Sequence, residues 1–130
     1  MTPRLLYLDD NPSNVKLMRM LLSLRAEVLL SVARDGAEGL SLALAEPLDL
    51  VLVDLHLPDM RGDEVVRRLK AEERTSGVPC VIMSAETDET VIRDAMSTGA
   101  VAFIPKPFDV EELLSTIEEL LPGFVSHKSS

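Results

Sequence analysis

The chain has 130 residues, of which 46% are hydrophobic, a length and composition that suit one domain with one packed core. Its 22 acidic residues outnumber its 13 Lys and Arg residues, and the net charge of −9 argues against direct binding of nucleic acid, because phosphate contacts need clustered cations. A single cysteine excludes an internal disulfide, and no apolar stretch has the length of a membrane span, so we expect a cytoplasmic protein that contacts no membrane.

The first part of the chain alternates between an apolar strand and an amphipathic helix. A strand is predicted over Arg4–Leu8, and the helix after it begins at Pro12 with Asn11 as its N-cap. A second strand is predicted over Glu27–Val32, followed by a helix that ends before Pro47.

The third strand, Leu50–Val53, is an unbroken apolar run, which is typical of a parallel strand that is covered on both faces. Two further strands are predicted over Cys80–Met83 and Val101–Ile104. The helices of this part are predicted over Asp63–Glu73, over Asp88–Thr98 with Gly99 after it, and from Val110 to the helix stop at Pro122 and Gly123. We therefore expect one domain over residues 1–122 and a tail over 123–130.

Strict alternation of strands and helices predicts an α/β fold with right-handed crossovers. With five strands, we expect a three-layer α/β/α sandwich around a parallel sheet, doubly wound in the flavodoxin-like strand order 2-1-3-4-5. In such folds, ligands bind at the carboxyl ends of the strands.

Polar residues stand at these carboxyl ends. Asp9 and Asp10 follow the first strand, Asp54 the third, Ser84 the fourth and Lys106 the fifth. Three adjacent carboxylates raise one another's pKa unless a cation lies between them, and an all-oxygen ligand set suits Mg²⁺, with Mn²⁺ as an alternative. A cation there would keep Asp54 charged and nucleophilic, and it would bind an incoming phosphoryl group. The pattern thus favours phosphoryl transfer onto a carboxylate.

Four blocks of the sequence resemble the receiver domains of two-component response regulators, and the resemblance extends to the chemotaxis regulators. They are "YLDDNPSN", "LVLVDLHLPDMRG", "VIMSAET" and "AFIPKPF", in the order and spacing of that family over residues 3–121. None is specific by itself, but four in register are. The resemblance implies that Asp54 receives a phosphoryl group from a phosphohistidine of a histidine kinase or a histidine phosphotransfer protein.

The resemblance also implies a metal site. Asp10 and Asp54 would bind Mg²⁺ directly, Asp9 mainly through water, and the backbone carbonyl of His56 would be a further ligand. The domain would catalyse only its own phosphorylation and dephosphorylation.

A switch is implied as well. Ser84 and Phe103 stand at the family's two switch positions, and Lys106 and Pro107 would be joined by a cis peptide bond. Phosphorylation would change a partner-binding surface formed by the fourth helix, fifth strand and fifth helix, to which a downstream protein or a second copy of the chain would bind.

Simpler explanations exist for several of these residues. Asp9 and Asp10 are also common in solvated loops and helix caps, Ser84 suits a helix N-cap, and Phe103 suits a hydrophobic core. The side chain of His56 invites a metal or acid–base role, but a lone histidine in a loop usually has neither.

Three other functions are open to the same fold. A haloacid-dehalogenase-like phosphatase would need a second Asp where His56 stands. A flavin or nucleotide site would need a Gly-, Ser- or Thr-rich loop in place of "DDNPSN". A receiver-like interaction module that is not controlled by phosphorylation is the main alternative, although all the key residues are present.

Overall fold

Strands and helices alternate along residues 2–25 and 27–121, the part of the chain that the computed structural model describes. The strands are β1 (Arg4–Leu8), β2 (Leu29–Ala33), β3 (Leu50–Asp54), β4 (Cys80–Ser84) and β5 (Ala102–Pro105). The helices are α1 (Pro12–Arg25), α2 (Gly36–Ala45), α3 (Gly62–Ala71), α4 (Glu89–Met96) and α5 (Val110–Leu120). The helix stop at Pro122 and Gly123 and the tail over 123–130 lie outside the described residues.

The five strands form one parallel sheet in the order β2-β1-β3-β4-β5, which confirms the predicted topology. β3 lies in the middle, and its residues Leu50–Val53 have no exposed surface. In the register of the sheet, Leu8 pairs with Val53 and Asp54 pairs with Met83, so β1, β3 and β4 end close together. The carboxyl ends of these strands therefore form one edge.

Each strand contributes to two hydrophobic cores, because successive side chains point to opposite faces of the sheet. Leu5 and Tyr7 of β1 pack in a core with α1 and α5, whereas Leu6 and Leu8 pack in a second core with α2, α3 and α4. Two covered faces give the predicted three layers. No helix of residues 2–25 or 27–121 is long and apolar enough to cross a membrane.

Several predicted boundaries shift by two residues: β2 begins at Leu29 instead of Glu27, and α3 ends at Ala71 instead of Glu73. β2 is an edge strand that pairs with β1, and its first partner is Arg4, so the start of β1 determines where β2 begins. α4 is also shorter than predicted: Asp88 is its N-cap, accepting from the amide of Thr90, and Gly99 beyond its end has a φ of 117°.

Candidate functional site

Three carboxylates meet at the carboxyl edge of the sheet. Asp54 is the last residue of β3, and Asp9 and Asp10 directly follow β1. Each of the three offers an oxygen that lies within 4.8 Å of the others. Asp9 is buried, Asp10 is exposed and Asp54 is intermediate, so the cluster runs from the protein interior to solvent.

The buried carboxylate of Asp9 accepts four hydrogen bonds. The donors are the Tyr7 hydroxyl (2.6 Å), the Asn11 amide (2.9 Å), the Asn14 side chain (3.0 Å) and the Lys106 ammonium (2.9 Å). Burial raises the pKa of Asp9, but the hydrogen bonds from Tyr7, Asn11 and Lys106 outweigh it and hold the pKa below its usual range. Asp9 is therefore a fixed negative charge.

Lys106 joins two members of the cluster. Its ammonium lies 2.9 Å from Oδ2 of Asp9 and 3.0 Å from Oδ2 of Asp54. Burial lowers the pKa of Lys106, but hydrogen bonds to the two carboxylates more than compensate and raise it. The backbone of this residue is held in place because the Lys106 amide donates to the Ser84 carbonyl at 2.8 Å. The bond between Lys106 and Pro107 is a cis peptide, as expected from the sequence resemblance.

The hydroxyl of Ser84 is buried at the end of β4, beside the cluster. It accepts a hydrogen bond from the Glu86 amide at 3.0 Å. The N-cap explanation for Ser84 is wrong, since Asp88 caps α4. Phe103 pairs with Ile82 in the sheet, is half-buried, and packs against the core on the α2–α4 side. Its switch role stays a prediction, as does that of Ser84.

The loop after β3 places the His56 backbone next to Asp54. The His56 amide donates to Oδ1 of Asp54 at 3.2 Å, while its imidazole is exposed, with Nε2 at 3.8 Å from a Glu86 oxygen. The end of this loop packs closely against its beginning, because a Cβ on Gly62 would lie 2.2 Å from the Asp54 carbonyl oxygen. Only glycine allows this approach, and the approach fixes the backbone that carries Asp54.

Two residues of this site were missed by sequence reasoning. Tyr7 lies two residues before Asp9, and side chains with this spacing in a strand lie on the same face of the sheet. The sequence therefore contained a signal that the two side chains are close together. Asn14 lies in the first turn of α1, and only the folded helix shows that its amide reaches Asp9.

The chemistry of the cluster fits a hard divalent cation. Its three acidic members offer only oxygen ligands, which Mg²⁺ prefers, and the exposed side of the cluster leaves room for the waters that Mg²⁺ keeps.

Comparison with known proteins agrees with this geometry. The family model for the response regulator receiver domain matches residues 5–118. Protein PilH of Pseudomonas aeruginosa is 32% identical over 120 residues, which cover 92% of this chain and 98% of PilH. The DNA-binding dual master transcriptional regulator RpaA of Synechocystis is 35% identical over 119 residues, and the chain spans only 49% of its length.

Among solved structures, the chemotaxis protein CheY4 of Vibrio cholerae superposes with a TM-score of 0.85 at 25% identity. The match covers 93% of this chain and all of CheY4.

Proposed function

Because the chain belongs to the family of response regulator receiver domains, we propose that Asp54 is the residue that accepts its phosphoryl group. Such domains act in two-component signalling, where they bind Mg²⁺ at an acidic cluster and work with histidine kinases and downstream effectors. The observation that carries the assignment is that Asp54 is both accessible to solvent and in contact with the Lys106 ammonium. Asp9 contacts Lys106 but has no exposed surface, and Asp10 is exposed but has no such contact in the described residues.

We propose that Asp10, Asp54 and the His56 backbone carbonyl bind the metal directly, and that Asp9 binds it through a water molecule. Mg²⁺, or Mn²⁺ in its place, would supply positive charge to the phosphoryl oxygens. Lys106 already lies against Asp54 and would pair with one phosphoryl oxygen as a point charge. The Ser84 hydroxyl would donate to another.

The transfer requires one bond to form and one to break. A carboxylate oxygen of Asp54 attacks phosphorus, and the phosphorus–nitrogen bond to the donor histidine breaks, with the electron pair going to the imidazole. Water later cleaves the acyl phosphate, which regenerates Asp54 and releases inorganic phosphate. In this scheme the domain catalyses only its own phosphorylation and dephosphorylation. We propose that the domain comprises residues 1–122 and that the protein is cytoplasmic.

The output is a shift between two packings of the same fold. Ser84 and Lys106 are joined by a backbone hydrogen bond, and Phe103 lies on β5, the strand that leads directly into Lys106. A displacement of the Ser84 hydroxyl would therefore move β5 and change the surface formed by α4, β5 and α5. We propose this face as the binding site of a downstream protein, or of a second copy of the chain after activation.

Phosphorylation by acetyl phosphate tests the assignment. Intact-mass measurement of the chain with acetyl phosphate and Mg²⁺ should show one added phosphoryl group, and EDTA or Asp54→Asn should abolish it. Asp94→Asn removes a comparable carboxylate from the exposed side of α4 and serves as the matched control. An adduct that persists in Asp54→Asn would refute the assignment, and repeated turnover of an unrelated phosphate ester would favour the phosphatase.

A further inference from the structure

The loop between β3 and α3, residues 55–61, is attached at its tip to the first turn of α2. Oδ1 of Asp59 accepts from the Gly36 amide at 2.8 Å, and Oδ2 accepts from the Ala37 amide at 2.9 Å. The Met60 side chain packs on the same turn so closely that a Cβ on Gly36 would lie 2.5 Å from Met60 Cγ. The hydrogen bond from Gly36 is the main cause that lowers the pKa of Asp59, which keeps this acceptor charged.

The two ends of this loop are closed independently of its tip. His56 and Arg61 form an antiparallel bridge, and the Gly62 amide donates to the Leu55 carbonyl at 2.7 Å. These contacts set the shape of the loop but hold it to no other helix. The hydrogen bonds of Asp59 and the packing of Met60 therefore hold the loop, with the His56 carbonyl, against α2.

The opposite half of the acidic cluster is anchored to the same connection. The Asp9 amide donates to the carbonyl of Ala33 at 3.1 Å, and Ala33 is the last residue of β2, three residues before Gly36. The short β2–α2 connection thus holds Asp9 through the backbone and holds the β3–α3 loop through Asp59. Both halves of the cluster are therefore anchored to the same β2–α2 connection.

We propose that Asp59 is a positioning residue for the cation site. By tying the β3–α3 loop to α2, it fixes the distance of the His56 carbonyl from the Asp9–Asp10 pair. Groups that orient metal ligands in this indirect way affect metal affinity without touching the ion. The proposal rests on the metal assignment made above.

The chain offers a matched control on the same helix. Asp35 is the N-cap of α2, and its carboxylate accepts from the Glu38 amide at 2.8 Å. Asp35→Ala and Asp59→Ala each remove one carboxylate from the start of α2 and change the net charge equally. Only Asp59→Ala removes the hydrogen bonds that tie the β3–α3 loop to α2.

Calorimetric titration with Mg²⁺ measures the effect directly, without any phosphorylation step. Asp59→Ala should weaken Mg²⁺ binding by about tenfold, the lower end for such orienting groups, whereas Asp35→Ala should leave the affinity unchanged. Asp59→Asn retains an acceptor oxygen and should recover part of the loss. In NMR spectra, the amide resonances of Gly36 and Ala37 should both shift in Asp59→Ala, whereas Asp59→Asn, with a single acceptor oxygen, should restore only one of the two.

Each outcome has a distinct meaning. An equal loss of affinity in Asp35→Ala and Asp59→Ala would overturn the proposal, because the carboxylates would then act through the charge or stability of α2. Unchanged affinity in Asp59→Ala, with normal binding by the wild type, would overturn it and leave the assigned function intact. Absence of Mg²⁺ binding by the wild type would overturn the metal assignment and the proposal together.

Discussion

Replacing Tyr7 by Phe removes one hydroxyl from the interior of the site and leaves the ring in place. Tyr7 and Asp9 have no exposed surface, and the hydroxyl donates to Oδ2 of Asp9 at 2.6 Å. Hydrogen bonds to charged groups contribute about 1.5–3 kcal/mol. Because the other three donors to Asp9 remain, we expect the lower value, a loss of about 1.5 kcal/mol in the free energy of unfolding at pH 7.

The loss should depend on pH in a defined direction. The folded-state pKa of Asp9 lies below its unfolded value, so Asp9 contributes stability above an unfolded pKa of about 3.9, and this contribution is lost as the pH falls through the folded pKa. Tyr7→Phe moves the folded pKa back toward the unfolded one. The difference in stability between the variant and the wild type should therefore be complete at pH 7 and shrink in acid.

Urea unfolding followed by circular dichroism, at pH 7 and at several acidic values, measures this difference. In a separate thermal unfolding experiment at pH 7, the melting temperature of the variant should be lower than that of the wild type by roughly 5 °C. The same Tyr7→Phe change in an Asp9→Asn background closes a double-mutant cycle and should cost less there. Unchanged stability at pH 7, or an equal loss at every pH and in both backgrounds, would refute the claim that Tyr7 acts through the Asp9 charge.

Two further predictions follow from packing. Gly62→Ala places a Cβ at 2.2 Å from the Asp54 carbonyl oxygen and should lower the free energy of unfolding by about 3 kcal/mol, whereas Gly77→Ala, with no atom within 4 Å of its Cβ, should change it by less than about 0.5 kcal/mol. Equal effects in urea unfolding would contradict the described backbone contact. Burial raises the pKa of the Cys80 thiol to about 11, so a disulfide reagent at pH 8 should label it only in urea. Fast labelling of the folded protein would show that β4 is accessible.

The fold could be predicted from the sequence because its signals are local. The unbroken apolar run Leu50–Val53 indicates a strand that is covered on both faces, and Pro12 after Asn11 indicates a helix start. Alternating elements then restrict the topology to a parallel sheet with right-handed crossovers. Boundaries such as the start of β2 were less accurate, since they depend on the partner strand and not on local preference.

The site could be predicted only in part, for a similar reason. Asp9 and Lys106 each follow a strand and Asp54 ends one, and the parallel topology brings strand ends to one edge whatever the distance along the chain. The contact of Asp59 with Gly36 has no such signal, because a loop tip meets a helix start only after both are packed on the sheet.

Periodicity and strand ends are properties of short segments, so the amino-acid sequence is enough to specify which elements form, how they are layered and which acids reach the carboxyl edge. The differences among these acids depend on the folded structure. In the fold, Asp9 is buried against Tyr7, Asn14 and Lys106, Asp10 is exposed to solvent, and the exposure of Asp54 is intermediate. Burial and hydrogen bonding depend on residues far apart in the chain, and they turn three similar carboxylates into groups with different chemistry.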